Sequence, residues 1–127
     1  MIYGVGTDLI AIRRIEKALK RFGERFAVRI LCEPELKRFR GHRQPAAYLA
    51  KRFAAKEAFS KALGTGIHAP ANWHGVWVVN LNSGKPHFEY SDDLKELLRG
   101  KQICRAHLSL TDEREMASAT VILECEG

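Results

Sequence analysis

The run Arg52-Phe53-Ala54-Ala55-Lys56-Glu57-Ala58-Phe59-Ser60-Lys61-Ala62-Leu63-Gly64-Thr65-Gly66 constrains this chain more than any other segment. Pro45 suits the first position of a helix, and Gly64-Thr65-Gly66 closes one, so the spacing predicts a long helix from Pro45 to Leu63. Residues four apart share a helix face, which sets Glu57 beside Lys61 and places Leu49 and Phe53 one and two turns earlier on the same line. That face is apolar until Glu57. A carboxylate that continues an apolar stripe must be paired, bound to a metal or turned back to water, because burying it alone costs several kcal/mol. The plain alternative is an exposed Glu-to-Lys pair that contributes about 0.3 to 0.5 kcal/mol to its helix. Spacing alone leaves both open.

Around this helix, the pattern predicts an α+β protein with an antiparallel sheet packed against the long helix. Ile2 to Gly6 reads as a strand, with Thr7 or Asp8 placed to cap the helix that follows. Ile12, Ile15, Leu19 and Phe22 recur at helical spacing until Gly23, leaving Arg13, Arg14, Lys17, Lys20 and Arg21 on the outer faces. A short helix with Phe26, Ile30 and Leu31 follows, then a third over Glu35 to Arg40 opened by Pro34. Gly75 to Leu81 and Lys85 to Tyr90 read as a hairpin around Asn82-Ser83-Gly84. Asp92 to Arg99 is a helix, and Ile103 to Leu110 and Met116 to Glu124 are strands joined by the charged turn Thr111 to Glu115.

At 127 residues, 46% apolar and 9% aromatic, the chain is expected to be one ordered domain. No apolar run reaches the roughly 20 residues of a membrane span, and the first residues lack the pattern of a signal peptide, so a soluble, cytoplasmic protein is expected. Cys32, Cys104 and Cys125 have no C-x-x-C spacing, and the five histidines show no ligand spacing; plain thiols and no zinc or other transition metal are expected. Between Arg13 and Arg52 thirteen Lys or Arg stand against four Glu, a balance that steers acidic partners towards this half. A small nucleic-acid-binding module would share that charge. The chain lacks RNP aromatics, a KH-type G-x-x-G and zinc ligands, and neither nucleic acid nor membrane is expected as a partner.

Five blocks carry a resemblance: Gly4-Val5-Gly6-Thr7-Asp8-Leu9, Phe53-Ala54-Ala55-Lys56-Glu57-Ala58, Gly64-Thr65-Gly66, Gly84-Lys85-Pro86 and His107-Leu108-Ser109-Leu110-Thr111. In this order and spacing the chain resembles the holo-[acyl-carrier-protein] synthases, the small bacterial class of 4'-phosphopantetheinyl transferases. The resemblance implies that fold and the transfer of 4'-phosphopantetheine from coenzyme A to a serine of apo-acyl carrier protein, in support of fatty acid synthesis. It implies one Mg2+ on Asp8 and Glu57, completed by waters and the pyrophosphate, a ligand set that suits this ion. It gives Lys61 the charge on the phosphates and His107 a phosphate contact, from the same or a neighbouring subunit. The general base stays open between Glu57, acting directly or through water, and a carboxylate of the carrier.

Arg52, Lys85 and Pro86, with Gly64, Thr65 and Gly66, resemble coenzyme A contacts, and Arg43 or His42 would meet its 3'-phosphate. Arg13, Arg14, Arg21, Arg25 and Arg29 resemble the surface that grips an acidic helix of the carrier. The family likeness further implies a homotrimer with sites between subunits. Many relatives carry a second histidine where this chain has Asp112, whose role is therefore left undefined.

Overall fold

The computed structural model describes residues 1–126. Along the chain come β1 (Ile2–Ala11), α1 (Ile12–Phe22), α2 (Glu24–Ile30), α3 (Glu33–Arg40), α4 (Pro45–Leu63), β2 (Val76–Asn80), β3 (Pro86–Tyr90), α5 (Asp92–Gly100), β4 (Ile103–Asp112) and β5 (Met116–Cys125). Antiparallel strands in the order β1-β5-β4 form one sheet, and β2 and β3 form a separate antiparallel pair. The predicted α+β architecture, with a sheet on a long helix, is the one observed.

Helix α4 begins at Pro45 and stops at Gly64, whose φ of 87° lies in the left-handed region that glycine enters without cost. Leu49, Ala50, Ala54, Ala55, Ala58 and Phe59 are all fully buried. Different neighbours cover different sides. Ala117, Ala119, Val121 and Leu123 alternate along β5 as the buried residues of the three-stranded sheet, and the period-two rule leaves Ser118, Thr120, Ile122 and Glu124 on the other face. Phe59 meets Phe88 of β3 edge-on at 5.1 Å between ring centroids.

Strand β1 reaches α4 through its glycines. A Cβ on Gly6 would lie 1.9 Å from the carbonyl oxygen of Ala58, and one on Gly4 2.0 Å from that of Ala62. Hydrogen alone fits there, so the strand lies directly on the helix backbone. Asp8 and Ile10 follow at the same alternation and face the same side.

This geometry corrects the sequence reading of the N-terminus. The first strand does not stop at Gly6; it pairs with β5 as far as Ala11 opposite Met116. Neither Thr7 nor Asp8 caps a helix, because the ladder to Thr120 and Ala119 holds both in the strand. Helix α1 starts instead from an extended Ala11 with no side-chain cap, and the Ile12 N–H is taken by the Glu115 carbonyl at 2.9 Å. Smaller differences concern ends. Helix α3 begins at Glu33, β4 continues to Asp112, and β2 and β3 are shorter than read, which leaves Lys85 in their turn.

A wholly buried ion pair lies on the side of α4 facing α2 and α3. Lys56 Nζ donates to Glu35 Oε1 at 2.8 Å and to the carbonyls of Ile30 and Trp73, each at 2.7 Å. Glu35 Oε1 also accepts the Cys32 N–H, and Oε2 accepts the Val78 N–H, both at 2.9 Å. All three ammonium protons and both carboxylate oxygens are thereby used, the condition under which burying such a pair is tolerable. Removing one partner strands the other charge. Lys56→Met is expected to lower unfolding free energy by about 3 to 5 kcal/mol in urea titrations; a loss below about 1 kcal/mol would show that the network contributes little.

Candidate active site

Asp8 from the middle of β1 and Lys61 from the last turn of α4 meet at the edge of this contact. Lys61 Nζ donates to Asp8 Oδ1 at 3.1 Å and to the Thr7 carbonyl at 3.0 Å. Asp8 is the more enclosed, its side chain 15% exposed against 53% for Lys61. Glu57, one turn before Lys61, is half-buried. Its carboxyl is pushed above the usual range by burial first and by Asp8 second, while Lys61 pulls it back. The predicted line of Leu49, Phe53, Glu57 and Lys61 therefore runs from full burial at Leu49 to open solvent at Lys61. It emerges beside Asp8.

The other predicted residues fall into separate groups. Gly64 caps α4, Thr65 and Gly66 follow it, and the Thr65 N–H shares the Ser60 carbonyl with Gly64. Arg52 turns inward, only 4% exposed. Its guanidinium stacks 4.4 Å from the centroid of Tyr48 and donates to Asn80 Oδ1 at 2.9 Å, while Nε has no partner among the described residues. Burial lowers its hold on its proton, partly offset by Tyr48 and Glu35. Asn80 in turn donates to the Gly84 carbonyl at 3.0 Å, which links Arg52 to the turn bearing the exposed Lys85 and the half-buried Pro86. His42 Nδ1 accepts the Gln44 N–H at 3.0 Å and so shapes the entry to α4; Arg43 beside it is exposed.

Within one chain the structure does not bring His107 to the acid pair. Leu108 is the buried neighbour that faces α4, so His107 lies on the opposite face of the sheet, where it bonds Glu124 of β5. Asp112, the position left undefined, forms an ion pair with Lys51 at 3.3 Å. Arg13, Arg14, Arg21, Arg25 and Arg29 are all exposed along α1 and α2. Phe22, read from sequence as the end of the inward line of α1, is instead 52% exposed, because the helix stops there and the ring turns out under the Arg21 guanidinium; Val28, exposed at 42%, was not singled out from sequence. Nor were Tyr48, Asn80 or Glu35, whose partners lie too far along the chain for any local spacing to reveal. Burial pushes the Cys32 thiol up to about 11, away from the thiolate form.

Two carboxylates and one ammonium, presented by a strand and a helix at the edge of their contact, supply hard oxygen ligands beside a cation. Such a donor set suits a divalent ion such as Mg2+ and offers nothing soft. A concavity of about 550 Å3 lies elsewhere, lined by Glu16, Pro45 and Arg114 among others. Fold and site together define an α+β protein with two acids and a lysine gathered where its first strand meets its long helix.

Comparison with known proteins shows the family. The sequence pattern of the 4'-phosphopantetheinyl transferase superfamily matches residues 4–119. A holo-[acyl-carrier-protein] synthase from Nitrosomonas europaea is 50% identical over 98% of this chain and 99% of its own length. The crystal structure of the synthase from Neisseria meningitidis is similar with a TM-score of 0.95, at 44% identity over 98% of this chain and 99% of that one. The Bacillus anthracis synthase, solved in complex with CoA (3',5'-ADP), gives 0.83 at 38% identity over 99% of each chain. The chain belongs to the holo-[acyl-carrier-protein] synthase family of 4'-phosphopantetheinyl transferases.

The raised Glu57 carboxyl has a consequence for stability. A carboxyl that binds its proton more tightly in the folded state destabilises the fold above the raised folded value, and not below the ordinary carboxylate range, where both states are protonated. In EDTA, Glu57→Gln is therefore expected to raise Tm at pH 7, with the gain fading as the pH falls towards about 4. A lower Tm at neutral pH would contradict the assigned environment.

Proposed function

We propose that this chain, acting as a single domain in the cytoplasm, transfers 4'-phosphopantetheine from coenzyme A to a serine of apo-acyl carrier protein in support of fatty acid synthesis. The observation that carries this reading is the convergence of Asp8, Glu57 and Lys61 on a scaffold whose relatives bear that activity. The serine hydroxyl oxygen attacks the β-phosphorus of coenzyme A. The bond from that phosphorus to the bridging oxygen breaks, and 3',5'-ADP leaves. Chemistry of this kind is governed by positioning and by neutralising charge on the phosphates.

Asp8 and Glu57 would hold Mg2+, which when bound neutralises phosphate charge as a Lewis acid. Lys61 places its ammonium at the same edge and offsets the charge that grows on the bridging oxygen as it departs with the 5'-phosphate of 3',5'-ADP. The serine proton would go to Glu57, directly or through water, or to a carboxylate of the carrier. The Arg52–Asn80–Gly84 link, with Lys85, Pro86 and the Gly64-Thr65-Gly66 turn, forms the coenzyme A side, and Arg43 serves the 3'-phosphate. His42, already bonded to Gln44, supports that corner.

His107 would act from a neighbouring copy, because it occupies the sheet face away from its own Asp8. That face also exposes Val5 at 55% and Leu9 at 65%, apolar area suited to contact with another copy. A homotrimer with sites between subunits accounts for both. The arginines of α1 and α2 would meet the acidic carrier, with Phe22 and Val28 adding apolar contact. Among the described residues no helix is long and apolar enough to cross a membrane.

Intact mass of apo-acyl carrier protein after incubation with coenzyme A tests the reading directly. A gain of one phosphopantetheine with Mg2+ and none with EDTA is expected; no gain with several carriers would overturn it. Lys61→Ala is expected to lower kcat by about a hundredfold, in the range of other electrostatic donors, and full turnover would remove Lys61 from the mechanism. Arg14→Glu should raise KM for the carrier far more than for coenzyme A, with wild-type affinity weakening as salt rises; equal effects on both substrates would sink the docking surface.

A further inference from the structure

His107 and Glu124 project from adjacent strands on the sheet face turned away from α4. In the β4–β5 ladder His107 lies opposite Ile122 and Arg105 opposite Glu124, so the Glu124 carboxylate reaches His107 across the diagonal and bonds Nε2. The imidazole is 48% exposed and the carboxylate 33%. Nδ1 has no hydrogen-bond partner among the described residues. The ring is tied at one nitrogen and open at the other.

We propose that Glu124 is a positioning residue for the transfer reaction: bonded to Nε2, it fixes the rotation of the His107 ring and leaves Nδ1–H as the donor offered to a phosphate of coenzyme A. This rests on the reading of His107 as a phosphate contact. A neutral imidazole that gives its single proton to Glu124 would turn a lone pair on Nδ1 towards the phosphate, which repels it. The imidazolium donates at both nitrogens, so one proton goes to Glu124 and the other stays free for the phosphate. In the same structure Glu124 is held below the usual carboxylate range, by the bond to His107 first. The other charges facing the pair are Arg105 from β4 and the N-terminal ammonium ahead of β1, which donates to the Cys125 carbonyl at 2.9 Å. Both keep Glu124 ionised, and neither can replace its bond to the ring.

The test compares the full-length protein with Glu124→Gln, Glu124→Asp and His107→Ala. Two readouts apply: the ring-nitrogen NMR signals of His107, which report its hydrogen bonding, and kcat/KM with KM for each substrate. In Glu124→Gln the His107 ring signals are expected to change and kcat/KM for coenzyme A to fall about tenfold, with little change in KM for the carrier. Glu124→Asp should recover part of the loss. A Glu124→Gln protein with lower Tm but unchanged ring signals and unchanged kcat/KM for coenzyme A would overturn the proposal, since Glu124 would then only brace the strands. Wild-type kcat/KM in His107→Ala would instead overturn the phosphate contact itself, and the proposal with it.

Discussion

The buried contact between Lys56 and Glu35 is the interaction on which the rest of the molecule depends. It is held by five segments that have little else in common: the end of α2, the cap of α3, the middle of α4, the loop at Trp73 and the middle of β2. Apolar packing is non-directional and tolerates sliding, whereas a lysine with three fixed acceptors does not. The arrangement therefore specifies where the arginine-bearing helices stand relative to α4. Glu57 is the next residue along that helix, so what is fixed at Lys56 is fixed for the acid as well.

Charge is divided by burial across the molecule. Lys56 is sealed and fully bonded, Arg52 is nearly sealed but incompletely bonded, and Lys61 stands largely in solvent. All three arise from one helix within three turns. The first serves the fold. The last is free to respond to a phosphate, because its two present partners, Asp8 and the Thr7 carbonyl, leave one ammonium proton unassigned. Arg52 lies between these cases, held by an aromatic face and one amide.

Much of this was legible in the sequence where periodicity or motif spacing carried it. Pro45 and Gly64 mark the ends of α4, the hairpin announces itself at Asn82-Ser83-Gly84, and the juxtaposition of Glu57 with Lys61 follows from helix geometry. The extent of β1 did not follow. Asp8 looks like a cap because caps are read locally, and only the ten-residue partner strand β5 shows that it belongs to a ladder. The buried Glu35 likewise hides behind a helix-start signal, since its bond to the Cys32 N–H is a capping bond and its second role depends on residues 21 and 43 positions away. The sheet face that holds His107 is fixed by alternation, but which face meets α4 is decided by the glycines of a different strand.

Those glycines act as a register check on the sheet. A slip of β1 by one residue would exchange the two faces and present Val5 and Thr7 to the backbone of α4 where only hydrogen fits. The slipped form cannot pack at all, so it never becomes a stable, inactive competitor of the native chain. A molecule that has docked its first strand on the long helix has, by that fact, already delivered Asp8 to Lys61.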